Sequence, residues 1–88
     1  MKVKFHAKFI KNYRKRILSN KKLDNQVKIK IEQFKINPNN PILKDHNLTG
    51  TKKGLKAFSL TGDIRIIYRP SSDNEVVFMD IGSHNQVY

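Results

Sequence analysis

Gly54-Leu55-Lys56-Ala57-Phe58-Ser59-Leu60, Thr61-Gly62-Asp63, Ile64-Arg65-Ile66-Ile67-Tyr68-Arg69, Pro70-Ser71-Ser72-Asp73-Asn74 and Glu75-Val76-Val77-Phe78-Met79-Asp80-Ile81 follow one another without a break. Three runs rich in β-branched and aromatic residues alternate with two clusters of turn formers. This predicts an antiparallel meander with strands at about 55–60, 64–69 and 75–81. Side chains alternate along a strand, so Ile64, Ile66 and Tyr68 share one face of the middle strand and Arg65, Ile67 and Arg69 the other. The first face suits a core. The second carries two guanidinium groups, and a tail of Gly82-Ser83-His84-Asn85-Gln86-Val87-Tyr88 follows it.

Upstream the apolar period changes from two to about four. Val3 and Phe5 alternate with Lys2 and Lys4, as in a short strand. From about Ala7, Phe9, Tyr13 and Ile17 fall four apart, widened by Ile10 and Leu18, among Lys8, Lys11, Arg14, Lys15 and Arg16. That is an amphipathic helix with a basic outer surface, ended by Ser19-Asn20. A second helix is expected over 22–36, with Leu23, Val27, Ile31 and Phe34 on its stripe. Asn37-Pro38, repeated as Asn40-Pro41, stops it. Residues 42–53 show no period and read as a loop. The expected architecture is α+β, β-α-α-β-β-β, with a helical hairpin covering one face of an antiparallel C-terminal sheet.

Eighty-eight residues make a single domain, 1–88, near the lower size limit for folding without a staple. Cysteine is absent, which excludes disulfides and thiolate metal sites. No apolar run suits a transmembrane helix, and Met1-Lys2-Val3-Lys4-Phe5-His6 lacks the apolar core of a signal peptide, so a soluble cytoplasmic protein is expected. Eighteen Lys and Arg against seven Asp and Glu give +11, the balance of a protein that meets a polyanion. The charge is uneven. Residues 1–36 hold twelve basic and two acidic side chains, and residues 37–88 six and five. The helices carry the charge, and the strand block carries the residues with chemistry.

Those residues form three blocks, Leu43-Lys44-Asp45-His46-Asn47-Leu48-Thr49-Gly50, Thr61-Gly62-Asp63-Ile64-Arg65-Ile66-Ile67-Tyr68, and Val76 through Tyr88. In this order, over essentially the whole chain, they resemble the RelE/ParE superfamily of bacterial toxins, and within it the YafQ-like mRNA interferases. The resemblance implies a RelE-like fold and a metal-independent endoribonuclease, without cofactor, that cuts mRNA on the ribosome and is silenced by a cognate antitoxin. By position it assigns His46, Asp63 and His84 to catalysis, and Arg65 to the scissile phosphate. It gives Tyr88 a role in holding or stacking RNA. Arg69, Lys52 and Lys53 are further expected RNA contacts. Some relatives have histidine where this chain has Ser59 and tryptophan where it has Ile64, which leaves two imidazoles here rather than three.

The residue types suit that chemistry on their own terms. Metal-free RNA cleavage needs a base for the ribose 2′-hydroxyl, an acid for the 5′-oxygen and positive charge on the phosphorane. Histidine serves as either acid or base near neutrality, and arginine can pair two N–H groups with phosphate oxygens. The lack of a carboxylate or Cys/His cluster gives no reason to invoke a metal. Each residue also has a plainer account. Asp63 is a common hairpin turn former, His46 can bond locally beside Asp45, and Arg65 can pair with Asp80 or Glu75. Two other functions fit the charge: a ParE-like toxin that inhibits DNA gyrase without hydrolysis, and an inactive RNA-binding module.

Overall fold

His6 both closes the first strand and opens the first helix, because its Nδ1 accepts a 3.0 Å hydrogen bond from the Lys8 amide. In the computed structural model, which describes residues 1–88, β1 (Lys2–Phe5) thus passes directly into α1 (Ala7–Arg16). Asn20 performs the same capping for α2 (Lys21–Ile36), its side chain accepting from the Leu23 amide at 3.0 Å. The Asn37-Pro38 step ends α2 as expected. The Asn40-Pro41 step has a different use. Asn40 accepts from the Ile42 amide at 3.1 Å and Pro41 opens a 3-10 turn, Pro41–Leu43, that buries Leu43.

The segment read as a loop also contains a two-residue strand, β2 (His46–Asn47), and a second 3-10 turn at Gly50–Lys52. The meander follows as β3 (Lys56–Ser59), β4 (Ile64–Ser72) and β5 (Glu75–Ser83), and the tail forms a short helix, α3 (His84–Val87). The five strands lie in the order β1-β5-β4-β3-β2. β1 runs parallel to β5, with Lys2 opposite Glu75 and Phe5 opposite Phe78, and the other pairs are antiparallel. The α+β class and the helical hairpin on one face stand. The element order gains one strand and one helix. No helix is long and apolar enough to cross a membrane.

The helix-side core is aromatic. Phe34 of α2 stacks on Phe58 of β3 at 4.3 Å and meets the Tyr68 ring edge-on at 5.0 Å. Phe9, Ile17, Val27, Ile66 and Phe78 are buried with it, as the two periodicities predict. Ile10 and Leu18 depart from that expectation: they are 40% and 51% exposed and sit on an apolar groove rather than in the core. Hydroxyls and carboxylates tie the helices down. Tyr13 donates to Asp24, and Asp80 of β5 takes a 2.7 Å bond from the buried Asn12 amide of α1.

The opposite face of the sheet is less open than alternation alone suggests. Ala57 and Ile67 are buried beneath Val87 of α3, with Leu48, Leu55 and Met79 packed around them. A four-residue helix thus caps a second small core. Arg65 is left half-buried at its margin and Arg69 exposed.

Candidate active site on the second face of the sheet

Register, more than sequence proximity, assembles the site. Ile64 pairs with Ser83, so the bend that carries Asp63 lies beside the start of α3 and His84. The His84 amide points at the Asp63 carboxylate, with 3.5 Å between nitrogen and Oδ1. Arg65, one residue into β4, donates to the Asp63 carbonyl at 2.9 Å. His46 arrives from the other edge of the sheet. It pairs with Ala57, which pairs with Ile67, so it shares the face that displays Arg65.

Tyr88 links the two imidazoles. Its ring meets His84 edge-on, with 4.5 Å between centroids, and its hydroxyl lies 3.5 Å from His46 Nε2. The His84–Tyr88 spacing of four residues on α3 makes the first contact a local helical one. The second joins residues 42 apart in sequence. Burial raises the Tyr88 phenol pKa, and the nearby Arg65 cation works against the rise. The phenol therefore stays protonated near neutrality and can donate.

Two recesses flank this cluster. One, of about 410 Å3, is lined by His46, Asn47, Thr49, Thr51, Lys52 and Tyr88. The other, of about 260 Å3, lies on the far side of Arg65 among Lys30, Lys44, Ser59 and Thr61. Lys30 and Lys44 belong to no expected site, because nothing in the pattern around either one marks it. Ser59 is the cross-strand partner of Arg65. A hydroxyl there neither takes up nor releases a proton near neutrality.

His46, Asp63, Arg65, His84 and Tyr88 are thus brought to one surface, with Lys52 beside them. Arg69 is not. It lies four residues along β4 from Arg65, about 13 Å away at strand rise. Lys53 ends the second 3-10 turn outside the recess that Lys52 lines. The plainer account fails for Arg65, while His46 does bond locally, to the Lys44 carbonyl rather than to Asp45. Asp80 is held by Asn12 and Arg16 and Glu75 by Lys4 and Ser71, which leaves Arg65 with neither. Asp45 accepts from the Tyr68 hydroxyl at 2.6 Å and pairs with Lys56, not with His46. No group of three or more His, Cys, Asp and Glu side chains is placed to hold a metal ion.

Two imidazoles, a carboxylate, a phenol and a guanidinium on a basic surface can move protons to and from a bound phosphodiester and neutralise its charge. The chain is similar to known proteins along its whole length. Residues 1–88 match the family described as the bacterial toxin of type II toxin-antitoxin system, YafQ. No curated protein matches the sequence. Among solved structures, a copper-bound mutant toxin from Helicobacter pylori is 25% identical, covering 100% of this chain and 99% of that one at a TM-score of 0.79. YafQ from E. coli strain BL21(DE3) is 22% identical over 98% of this chain and 96% of its own, at 0.78. In the E. coli DinJ-YafQ toxin-antitoxin complex, the matched chain is 22% identical over 98% and 94%, at 0.75. With a match from the first residue to the last, the chain belongs to the YafQ family of toxins of type II toxin-antitoxin systems.

Proposed function

We propose that this toxin is a metal-independent endoribonuclease that cleaves mRNA, on the ribosome, by attack of a ribose 2′-oxygen on the adjacent phosphorus. The P–O5′ bond breaks as the new P–O2′ bond forms, leaving a 2′,3′-cyclic phosphate and a 5′-hydroxyl. His46, Asp63 and His84 supply the base and the acid, and Arg65 neutralises the phosphorane oxygens. Tyr88 stacks on a base, and Lys52 holds a neighbouring phosphate. The observation that carries this reading is the convergence of His46, Asp63, Arg65, His84 and Tyr88 on one face, from β2, the start of β4 and the C-terminal α3 with the residue after it. Arg69 and Lys53, which lie outside the cluster, serve as phosphate contacts along the flanking RNA. The basic helices dock on ribosomal RNA, and that affinity falls steeply with salt.

The reading includes an antitoxin, as in the DinJ-YafQ complex of E. coli. Phe5, Phe9, Ile10, Tyr13, Leu18 and Ile31 line an apolar groove of about 430 Å3, rimmed by Arg14 and Lys28. Apolar walls with cationic rims fit an amphipathic, acidic antitoxin segment.

Cell-free translation with the toxin, followed by primer extension on the mRNA, tests the enzyme. New 5′ ends are expected with the wild-type chain and not with His84→Ala or Asp63→Ala. Intact mRNA alongside double-strand breaks in supercoiled DNA treated with gyrase would establish the gyrase-inhibiting alternative instead. Intact mRNA and DNA together would leave only an RNA-binding module.

A further inference from the structure

His46 stands on an edge strand two residues long, exposed, and its ring makes two polar contacts. Nδ1 is 2.9 Å from the Lys44 carbonyl oxygen. A carbonyl only accepts, so Nδ1 carries the proton of the neutral ring and Nε2 carries the lone pair. The Lys44 carbonyl is available because Lys44 is left-handed, the one residue other than glycine with positive φ, at 52°. Nε2 in turn faces the Tyr88 hydroxyl at 3.5 Å, the long end of hydrogen bonding in a site without substrate. Tyr88 is itself fixed. Its amide donates to the His84 carbonyl at 3.0 Å, and its ring rests on the His84 imidazole.

We propose that the Tyr88 hydroxyl is a positioning group for His46: by donating to Nε2 it holds the imidazole in its Nδ1–H form, with the lone pair aimed at the second face of the sheet. This rests on the ribonuclease reading above and assigns within it the role of His46 as general base. When RNA binds, the ribose 2′-hydroxyl takes the place of the phenol at Nε2. The 2′-hydroxyl proton then passes to Nε2 as the 2′-oxygen attacks phosphorus, while His84, edge-on to the Tyr88 ring, gives a proton to the departing 5′-oxygen. One aromatic residue thereby sets the orientation of one imidazole through its hydroxyl and of the other through its ring. Lys52 and Tyr88 share the adjoining recess with His46, and Arg65 of β4 and His84 of α3 lie near Tyr88 in turn. Asp45, its neighbour in sequence, is turned away to Tyr68 and Lys56.

The test separates hydroxyl from ring. Full-length toxin labelled with 15N-histidine reports the tautomer of each imidazole by long-range proton–nitrogen NMR, for wild type, Tyr88→Phe and Tyr88→Leu. Wild-type His46 is expected as the Nδ1–H form. Tyr88→Phe is expected to add a clear Nε2–H population at His46 while leaving the His84 signals in place, and Tyr88→Leu to move both. An unchanged His46 tautomer in Tyr88→Phe overturns the proposal. Tautomer shifts as expected, in a chain whose wild-type form cleaves no RNA, would support the positioning contact and sink the ribonuclease reading instead.

Discussion

Asp80 of β5 accepts a 2.7 Å hydrogen bond from the Asn12 amide of α1, and both side chains are buried, Asp80 to 6% exposure. The Arg16 guanidinium lies 3.4 Å from the same carboxylate oxygen and donates to the Ile81 carbonyl at 2.9 Å. The last turn of the basic helix is therefore bonded to the strand end that leads into His84. Removing the carboxylate leaves the buried Asn12 amide without its acceptor and the partly buried Arg16 with the Ile81 carbonyl alone. Asp80→Ala is expected to cost about 3 kcal/mol, and Asp80→Asn, which keeps an acceptor, about half of that. For a domain of this size that is a large share of the whole stability. Urea denaturation midpoints check both values, and an Asp80→Ala chain as stable as wild type would show the contact to be incidental.

Gly82 lies against the same network. A β-carbon placed on it would stand 2.7 Å from both the Arg16 guanidinium and the Gln86 side-chain oxygen, and 3.1 Å from Gln86 Cβ. Both side chains have flexible ends, but neither is free to leave. Arg16 is held by Ile81 and Asp80, and the Gln86 oxygen accepts from the Ser83 amide at 2.8 Å, which starts α3. Gly82→Ala is expected to lose about 1–2 kcal/mol and to displace His84 and Tyr88. Calorimetry gives the first effect. Loss of the ring-current shifts between the two aromatic residues gives the second.

Much of this fold is legible in the sequence where the signal is periodic. The Ile64, Ile66, Tyr68 alternation and the Phe9, Tyr13, Ile17 stripe each foretell which face is buried. Local signals fail where an element is short or its partner distant. β2 has two residues, fewer than one period. β4 runs through Pro70 to Ser72 because β3 pairs with it no further than Tyr68, so the missing proline amide costs no ladder bond on that side. The tail hides a helix, although Ser83 and Gln86 have capping-box spacing. His46 and Tyr88 meet only because of strand order, which no local pattern encodes. The second core under Val87 follows from that same missed helix.

Arg65 offers a sharper test of the site than any deletion. It donates only to the Asp63 carbonyl and pairs with no carboxylate, so the fold has little need of its planar fork. A lysine keeps the charge and gives up the paired N–H geometry. Arg65→Lys is expected to leave the denaturation midpoint within about 0.5 kcal/mol of wild type. The single-turnover cleavage rate is expected to fall about 100-fold, the scale for losing an oriented donor to a developing anion. Equal rates in the two proteins would move phosphate recognition to Lys30, Lys44 or Lys52.

Tyr68 sets the response to alkali. Its phenol pKa is raised far above the ordinary 10.0 by burial first, then by its hydrogen bond to Asp45 and the negative charge of that carboxylate. The folded chain keeps this proton at pH values where the unfolded chain releases it. Its contribution is therefore whole below pH 10 and is lost as pH rises from there toward the folded value, at roughly 1.4 kcal/mol per pH unit. Tyr88, also raised, acts with the same sign but is more exposed. Tyr68→Phe is expected to be less stable at pH 7 by about 1–2 kcal/mol, because Asp45 loses its donor. The same variant is expected to show a flatter decline between pH 10 and 11, measured by urea unfolding at several pH values. If the decline stays as steep without the hydroxyl, the proton lost in alkali belongs to another group, and the Tyr68–Asp45 bond is not what ties β4 to the segment carrying His46.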